Sequence, residues 1–398
     1  MSAPATEGLD SNIAIVGAGL AGLALAIALR NSGIENVTLF EQRAPEALAT
    51  APSTPIMLPP NATRVLRALG LRAELERIAY QPRSLQQRGG TSGFLMSELP
   101  LGDLAVNRYG APYLVADYEA LRSIMLAQAH ALGVTIEFSR TCVGRQRQRA
   151  IFNDTNSHSA RLLVGADGVS SVLRDSLAAA SQQLPGAGWQ WSGQLPLEAV
   201  PESLQALALT LWLGNRGYVS HCVTADQKHW YWRACLLQHN QEQPSALLDA
   251  FGGWQPMLVK LLADTREPRR EALRQCEAAT ALHDGGFALI GDAGHPIAPH
   301  LEQDAGLALE DAWVLSRFID QLEHDPVAAC GEYQRFRLKR VQLMAQRAQA
   351  EGARRAAGAS MSRALDRAKV SLTSRFLPEL AMQRLDWMYR YDCIRGFE

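Results

Sequence analysis

The sequence predicts an α/β fold: a Rossmann-like dinucleotide-binding domain, an interleaved mixed or antiparallel sheet, and a helical C-terminal segment. Three observations predict it. Residues 12–16 form a short apolar run ending in glycines, a helix of small residues follows, and residues 37–40 form a second strand of buried type; parallel strands need such a helical crossover. Strand-like runs rich in aromatics occupy residues 209–237. After Glu310 the pattern turns helical as far as Arg363.

Residues 20–30 make the first helix, stopped by Asn31-Ser32-Gly33. A second helix is expected over 61–79, and 84–99 alternates with glycine interruptions, which predicts strand. Residues 118–132 are expected to be helical, and 134–138 and 161–164 to be strands. The stretch 181–196, rich in Gly, Pro, Gln and Trp, marks a crossing into a second domain. The strands at 209–237 carry Trp212, Tyr218, Trp230, Tyr231 and Trp232 and are expected to wall a pocket. Residues 287–290 return to a buried strand that enters a Gly-Asp turn, and 370–391 are expected to be helical with an interruption at Pro378.

Composition narrows the function. With 39 basic against 40 acidic residues and a net charge of −1, the chain has no basic excess for a nucleic-acid partner. The 47% hydrophobic and 20% charged content is that of an ordinary globular chain, which excludes long disordered tails and fibrous repeats. The cysteines, at 142, 222, 235, 276, 330 and 393, form no CxxC pair and no Cys/His cluster of zinc spacing, so neither a disulfide framework nor a metal is expected. The uncharged run from Ser11 to Leu29 follows Glu7 and Asp10 and contains three glycines, unlike a signal peptide or an integral membrane span. Cytoplasm is the expected compartment.

Gly17-Ala18-Gly19-Leu20-Ala21-Gly22, followed by Glu41, is a dinucleotide fingerprint in its required context of strand, turn, helix and distal acid. The first glycine permits the tight turn, the second lets the backbone approach a pyrophosphate at the helix N-terminus, and the third lets helix pack on strand. Glu41 is expected to accept ribose hydroxyls. The fingerprint alone leaves NAD and FAD open.

Two further segments bear on that choice: Leu162-Leu-Val-Gly-Ala-Asp167-Gly168 running on to Arg174, and Ala288-Leu-Ile-Gly291-Asp292-Ala-Gly-His295-Pro296-Ile-Ala-Pro299 followed by Gly306-Leu-Ala-Leu-Glu310-Asp311. These resemble the distal motifs of the single-component FAD-dependent aromatic hydroxylases, which include para-hydroxybenzoate and salicylate hydroxylases. The resemblance implies an FAD cofactor, with NAD(P)H and O2 as co-substrates. Oxygen transfer would run through a C4a-hydroperoxyflavin to a small aromatic or otherwise electron-rich planar substrate. It implies an FAD-binding domain over 1–80, 100–180 and 281–325, a substrate-binding domain over 81–99 and 181–280, and a C-terminal helical segment over 326–398. Asp167, Gly168 and Arg174 match the Asp-Gly motif and its closing arginine. Gly291 and Asp292 match the turn whose carboxylate holds the ribityl chain, and a helix starting near Ala305 would point its amides at the flavin. Arg43 is a candidate cation beside the fingerprint acid. With no second GxGxxG in the sequence, nicotinamide would bind transiently beside the flavin.

For catalysis, His221 is a candidate base towards a phenol, since imidazole titrates near neutrality, although the outer face of its strand is the more frequent placement of such a histidine. Pro299 is expected to shape the oxygen-transfer side. Trp232 and Tyr218 are candidate substrate contacts, with an ordinary inter-domain core as the alternative, and His295 is expected to be structural or cofactor-adjacent and not a base.

Three departures from the family pattern fall on expected flavin contacts. Glu302-Gln303-Asp304 stands for Gly-Gln-Gly, Tyr118 for an arginine, and Ser53-Thr54-Pro55 for small glycine-rich residues. Each adds bulk or negative charge, or removes positive charge, beside an anionic cofactor, which predicts weakened FAD binding. Two other readings follow from them: a flavoprotein supplied by a separate flavin reductase, and a flavin-poor relative acting as a binding or accessory protein. The sequence names no oligomeric state.

Overall fold

The computed structural model describes residues 11–49, 54–177, 188–215, 217–237, 245–273, 277–322, 325–356 and 378–397. The chain opens with β1 (Ser11–Val16), α1 (Leu20–Asn31) and β2 (Val37–Phe40), then α2 (Pro45–Ala49), β3 (Pro55–Leu58), α3 (Pro60–Ala68), α4 (Arg72–Ile78) and β4 (Ala79–Tyr80). A hairpin, β5 (Ser84–Gly89) and β6 (Leu95–Pro100), leads through α5 (Asp103–Tyr109) and β7 (Leu114–Asp117) to α6 (Tyr118–Ala131). Next come β8 (Thr135–Glu137), β9 (Cys142–Gln146), β10 (Arg149–Phe152) and β11 (Ser157–Gly165). The middle of the chain holds β12 (Trp189–Pro196), β13 (Leu209–Leu213), β14 (Gly217–Val223), β15 (His229–Leu236), α7 (Ser245–Phe251), α8 (Pro256–Asp264) and β16 (Arg269–Ala272). It closes with β17 (His283–Asp284), β18 (Phe287–Leu289), α9 (Asp304–Gln321), α10 (Pro326–Ala356), α11 (Pro378–Gln383) and α12 (Asp386–Tyr389).

One sheet runs β17-β18-β11-β1-β2-β8, with β10 and β9 added beside β11. Its central strands β18, β11, β1, β2 and β8 are parallel. Ala, Leu and Ile fill α1, which is buried from Leu20 to Leu29 and packs against α6 and α9, so it needs no polar face. The second sheet runs β16-β12-β15-β14-β13-β5-β6. All its pairs are antiparallel except β13 with β5, where Leu209 lies opposite Leu85. The fold is therefore α/β with a mixed sheet assembled from two separate stretches of chain. A third sheet, β3-β7-β4, was not foreseen from the sequence; its strands have two to four residues, too few for a period to register.

Several element boundaries move. The helix expected over 61–79 is two helices, because Gly70 adopts φ +86 and turns the chain between them. The 84–99 stretch is a hairpin, with Gly93 at φ +68 in its turn. Residues 357–377, Cys276 and Ser53 lie outside the described residues, and with them the start of the helix predicted over 370–391, whose described part is the two short helices α11 and α12. Among the described residues no helix is long and apolar enough to cross a membrane.

Candidate active site

The glycine turn is built as its sequence requires. Gly17 has φ +109, and a Cβ there would lie 2.3 Å from the Ala166 carbonyl oxygen; a Cβ on Gly22 would lie 2.0 Å from the Gly17 carbonyl oxygen. Those two glycines serve backbone packing. Gly19 differs: its Cβ would meet only the Tyr118 hydroxyl, at 3.9 Å, so the middle glycine borders open space. Gly19 is the N-cap of α1 and no side chain caps that end, which leaves the amides around Leu20 and Ala21 without a side-chain acceptor. This donor set and clearance fit a pyrophosphate.

Glu41, at the end of β2, is 4% exposed. One of its oxygens accepts from the Ala18 amide at 3.1 Å, the other from the Arg43 amide at 2.9 Å and Arg43 Nε at 3.2 Å. The acid thus braces the glycine turn from beneath. Arg43 also faces Glu119 at 3.7 Å, and Glu119 accepts from Arg122 Nε at 2.6 Å. Arg122 is buried, and its Nη1 has no hydrogen-bond partner among the described residues. Sequence reasoning overlooked this arginine, one helical turn beyond Tyr118, where the expected arginine is missing.

The two distal motifs meet. Asp167 accepts from Ser171 Oγ at 2.5 Å and from the Val172 amide at 3.0 Å, closing its own loop, with Gly168 at φ +78. Arg174 is buried and donates to the carbonyls of Val169 at 2.9 Å and Asp292 at 3.1 Å, so one guanidinium ties the Asp167 loop to the Gly291-Asp292 turn. Gly291, at φ +58, donates its amide to Asp311 Oδ2 at 2.9 Å. Burial, and then the neighbouring Asp304, push the Asp292 carboxyl up to about 6. Ala305 is buried in the first turn of α9, which begins one residue earlier, at Asp304.

Under this turn lies a charged network. Asp311 pairs with His295 and accepts from Arg337 Nε at 2.7 Å; Arg337 Nη2 lies 2.8 Å from Glu310, which also takes Arg340 at 3.2 Å and Asn61 Nδ2 at 2.7 Å. Asn61 reaches on to Gln303 at 3.0 Å. Burial alone would raise both acids, but the surrounding cations outweigh it and hold them low. His295 is thus a structural partner of Asp311.

A cavity of about 770 Å³ opens between the second sheet, residues 300–304 at the start of α9, α10 and the α11–α12 region. Leu85, Leu209 and Leu211 supply apolar wall, while Ser220, Cys222, Tyr231, Arg233 and His300 supply polar groups. His300, a residue the sequence reading passed over, shares a 2.9 Å hydrogen bond between its Nδ1 and Tyr218 Oη. Burial and the nearby Arg355 and Arg233 push its pKa down to about 4, so the ring is neutral at pH 7.

The structure revises three sequence-based candidates. His221 and Trp232 are cross-strand partners; His221 borders the cavity, but its ring, like that of Trp232, lies on the opposite sheet face, where Trp191, Trp212 and Trp230 pack with Phe251 and Leu258 of α7 and α8. Trp232 donates to Thr265 Oγ1 at 2.9 Å, and His221 Nδ1 accepts from Trp230 Nε1 at 2.9 Å. The ring of His221 is thus engaged by Trp230 instead of facing a substrate, and burial, with Arg88 nearby, pushes its pKa down to about 3. Tyr218 does face the cavity side but is fully buried behind His300, and of the five aromatics noted at 209–237 only Tyr231 lines the cavity. Pro299 immediately precedes His300 at the cavity wall.

The His221 ring carries a pH signature. Its folded pKa lies below the unfolded value near 6.5, so the neutral ring favours the fold; that stability is fully present above pH 6.5 and is lost as pH falls towards 3. His221→Gln, which keeps an acceptor for Trp230, is expected to flatten the decline in unfolding free energy between pH 6.5 and 4.5 by about 1.4 kcal/mol per pH unit. Denaturant titrations across that range check it.

Glu302 also departs from expectation. Its side chain forms an ion pair with Arg233, so its charge is neutralised on the sheet side of the cavity. Asp304 stays exposed at the cavity, and the Tyr118 phenol is the group nearest Gly19. Tyr118→Arg combined with Asp304→Gly is therefore expected to raise FAD affinity at least about tenfold, the worth of one charge-assisted contact. Fluorescence titration of apoprotein with FAD checks this.

A glycine turn braced by a buried glutamate, an Asp-Gly loop tied to a Gly-Asp turn, and a cavity walled by the start of α9 are the parts of a flavin-type dinucleotide enzyme. Residues 10–348 match the family described as FAD binding domain, and the chain belongs to that family, among its FAD-dependent aromatic monooxygenases. It is 30% identical over 352 residues to a 3-amino-4-hydroxybenzoate 2-monooxygenase of Streptomyces platensis, covering 85% of this chain and 87% of the relative. It is 32% identical over 347 residues to a 6-hydroxynicotinate 3-monooxygenase of Bordetella bronchiseptica, covering 82% and 88%. The fold resembles a salicylate hydroxylase substrate complex with a TM-score of 0.77 at 20% identity, over 96% of each chain.

Proposed function

We propose that the protein hydroxylates a small, electron-rich aromatic ring in the 770 Å³ cavity, using NAD(P)H and O2. The observation that carries this reading is that His300, Leu301, Glu302 and Asp304, the segment leading into α9 beside which a flavin ring would lie, form one wall of that cavity. When bound, FAD would supply the redox chemistry, in which two electrons from NAD(P)H let one oxygen atom of O2 enter the ring while the other leaves as water. The first turn of α1 and Gly19 would hold its pyrophosphate, Glu41 with Arg43 the adenosine end, and Asp292 the ribityl hydroxyls. Asp167, Gly168 and Arg174 keep the neighbouring loop in place. The leucine walls exclude water from the reacting face, and the Tyr218–His300 pair keeps a neutral hydrogen-bonding group at the cavity wall.

The purified protein is expected to be yellow, to be bleached by NADH or NADPH, and to consume O2 faster when an aminohydroxybenzoate or hydroxynicotinate is added. One observation favours a second reading, in which reduced flavin arrives from a separate reductase: the Tyr118 phenol stands nearest Gly19 where the family has a cation. Oxygenation that requires an added flavin reductase, with no bleaching by either nicotinamide alone, would select that reading. A colourless protein that takes up no FAD would overturn both.

A further inference from the structure

Five arginines and three acids line the cavity. Two of the acids are already matched: Glu302 pairs with Arg233 of β15, and Glu351 pairs with both Arg354 and Arg355 of α10. Arg347 on α10 and Arg384 just after α11 are exposed to solvent. Asp304 is the acid left over, exposed at the cavity and without an ion pair among the described residues.

Asp304 is also the first residue of α9, an 18-residue helix whose N-cap, Gln303, makes no side-chain capping bond. The free amides of such a helix end carry partial positive charge, which favours an anion placed before them. A flavin ring lying against the start of α9 gains one negative charge when two electrons and one proton reduce it. A bare helix end would therefore favour the reduced ring, and a carboxylate on the same end opposes it. The charge of Asp304 reaches across to the Gly291-Asp292 turn, where it is the second cause, after burial, of the raised Asp292 carboxyl. Solvent screens an exposed carboxylate. A ring and substrate packed over Asp304 would displace that water, and the same charge acts more strongly at the lower dielectric.

We infer that Asp304 lowers the reduction potential of the bound flavin, by setting a carboxylate where the first turn of α9 would otherwise stabilise the negative, reduced ring. This rests on the reading that FAD lies against α9, and it deepens that reading by assigning the direction in which this chain tunes its cofactor. The neighbouring Glu302 does not act in the same way, because Arg233 cancels its charge. A lower potential makes the two-electron transfer from NAD(P)H to the flavin less favourable and the onward transfer to O2 more so. A carboxylate also suits a helix N-terminus for stability alone; loss of that role would lower the melting temperature and leave the potential where it is.

The test is a spectroelectrochemical titration of FAD-loaded protein against reference dyes at fixed pH. Asp304→Asn, which keeps the side-chain shape without the charge, is expected to raise the two-electron midpoint potential by about 30 mV, a tenfold shift of the reduction equilibrium. Asp304→Glu, which keeps the charge, is expected to keep the potential of the parent. By linkage, Asp304→Asn should tighten reduced FAD about tenfold more than oxidised FAD. Asp304→Gly, also uncharged, is expected to shift the potential the same way and serves if the asparagine variant does not load. An unchanged or lowered potential in the uncharged variants, or an equal rise in Asp304→Asn and Asp304→Glu, would overturn the inference. A parent protein that takes up no FAD overturns it together with the proposed function. Potentials as expected in a protein that oxygenates no ring uphold the role of Asp304 and refute the proposed function alone.

Discussion

Arg337→Met is expected to destabilise the protein by about 3–5 kcal/mol, the usual consequence of breaking a buried ion pair from one side. Arg337 is fully buried and serves three partners at once: Asp311 at 2.7 Å, Glu310 at 2.8 Å and the Tyr391 hydroxyl at 3.0 Å. The variant leaves two buried carboxylates with only Arg340 and His295 to offset them. Methionine fills much of the space, so the loss is electrostatic rather than a cavity effect. Because Asp311 also holds the Gly291 amide, the variant should release FAD at lower denaturant than the parent. Arg337→Lys restores one charge without the fork and should fall between the two. Denaturant unfolding followed in parallel by tryptophan and flavin fluorescence measures both effects.

A second large effect is expected at the fingerprint, where two alanine substitutions should separate packing from ligand clearance. In Gly22→Ala the new Cβ would stand 2.0 Å from the Gly17 carbonyl oxygen and 3.3 Å from Ile15, so α1 must move off β1 and the turn must deform. FAD affinity is expected to fall at least about a hundredfold, roughly 2.7 kcal/mol, together with thermal stability. In Gly19→Ala nothing approaches the new methyl closer than the Tyr118 hydroxyl at 3.9 Å, so the fold should persist. That methyl would instead project towards the space left for the pyrophosphate, and FAD affinity alone should fall. Equal stability of the parent and Gly22→Ala would contradict the packing argument.

The contrast between these glycines also shows what was legible in the sequence. The turn, the acid at the end of β2, the Asp-Gly loop and the Gly-Asp turn depend on local backbone demands, so their residue types stand close together in the chain and could be recognised there. The cavity's polar groups do not work that way. Arg233, Glu302 and His300 come from distant segments and become neighbours only when the sheet meets the loop ahead of α9. His221 and Trp232 are candidates for the pocket on sequence alone, but strand alternation gives two faces without saying which one meets the ligand, and a choice off by one residue moves every side chain to the other side. The tryptophan-rich face proved to be the one sealed by α7 and α8. Glu302 and Asp304 were recognisable as departures; that Glu302 turns away to Arg233 depends on a sheet whose position the sequence does not encode locally.

The parallel pairing of β5 with β13 places a demand on biosynthesis. Leu85 must wait for Leu209, more than a hundred residues later, before that hydrogen-bonded edge is covered. At ribosomal speeds of about 5–20 residues per second, the wait is roughly 6–25 s. Throughout it the hairpin carries an open strand edge of the kind that invites pairing with another chain. Nascent chains halted between these strands are therefore the species with greatest need of a chaperone. For the same reason the seven-stranded sheet cannot be transplanted as one contiguous cassette, because one of its hairpins is encoded ahead of β11 and the rest after it.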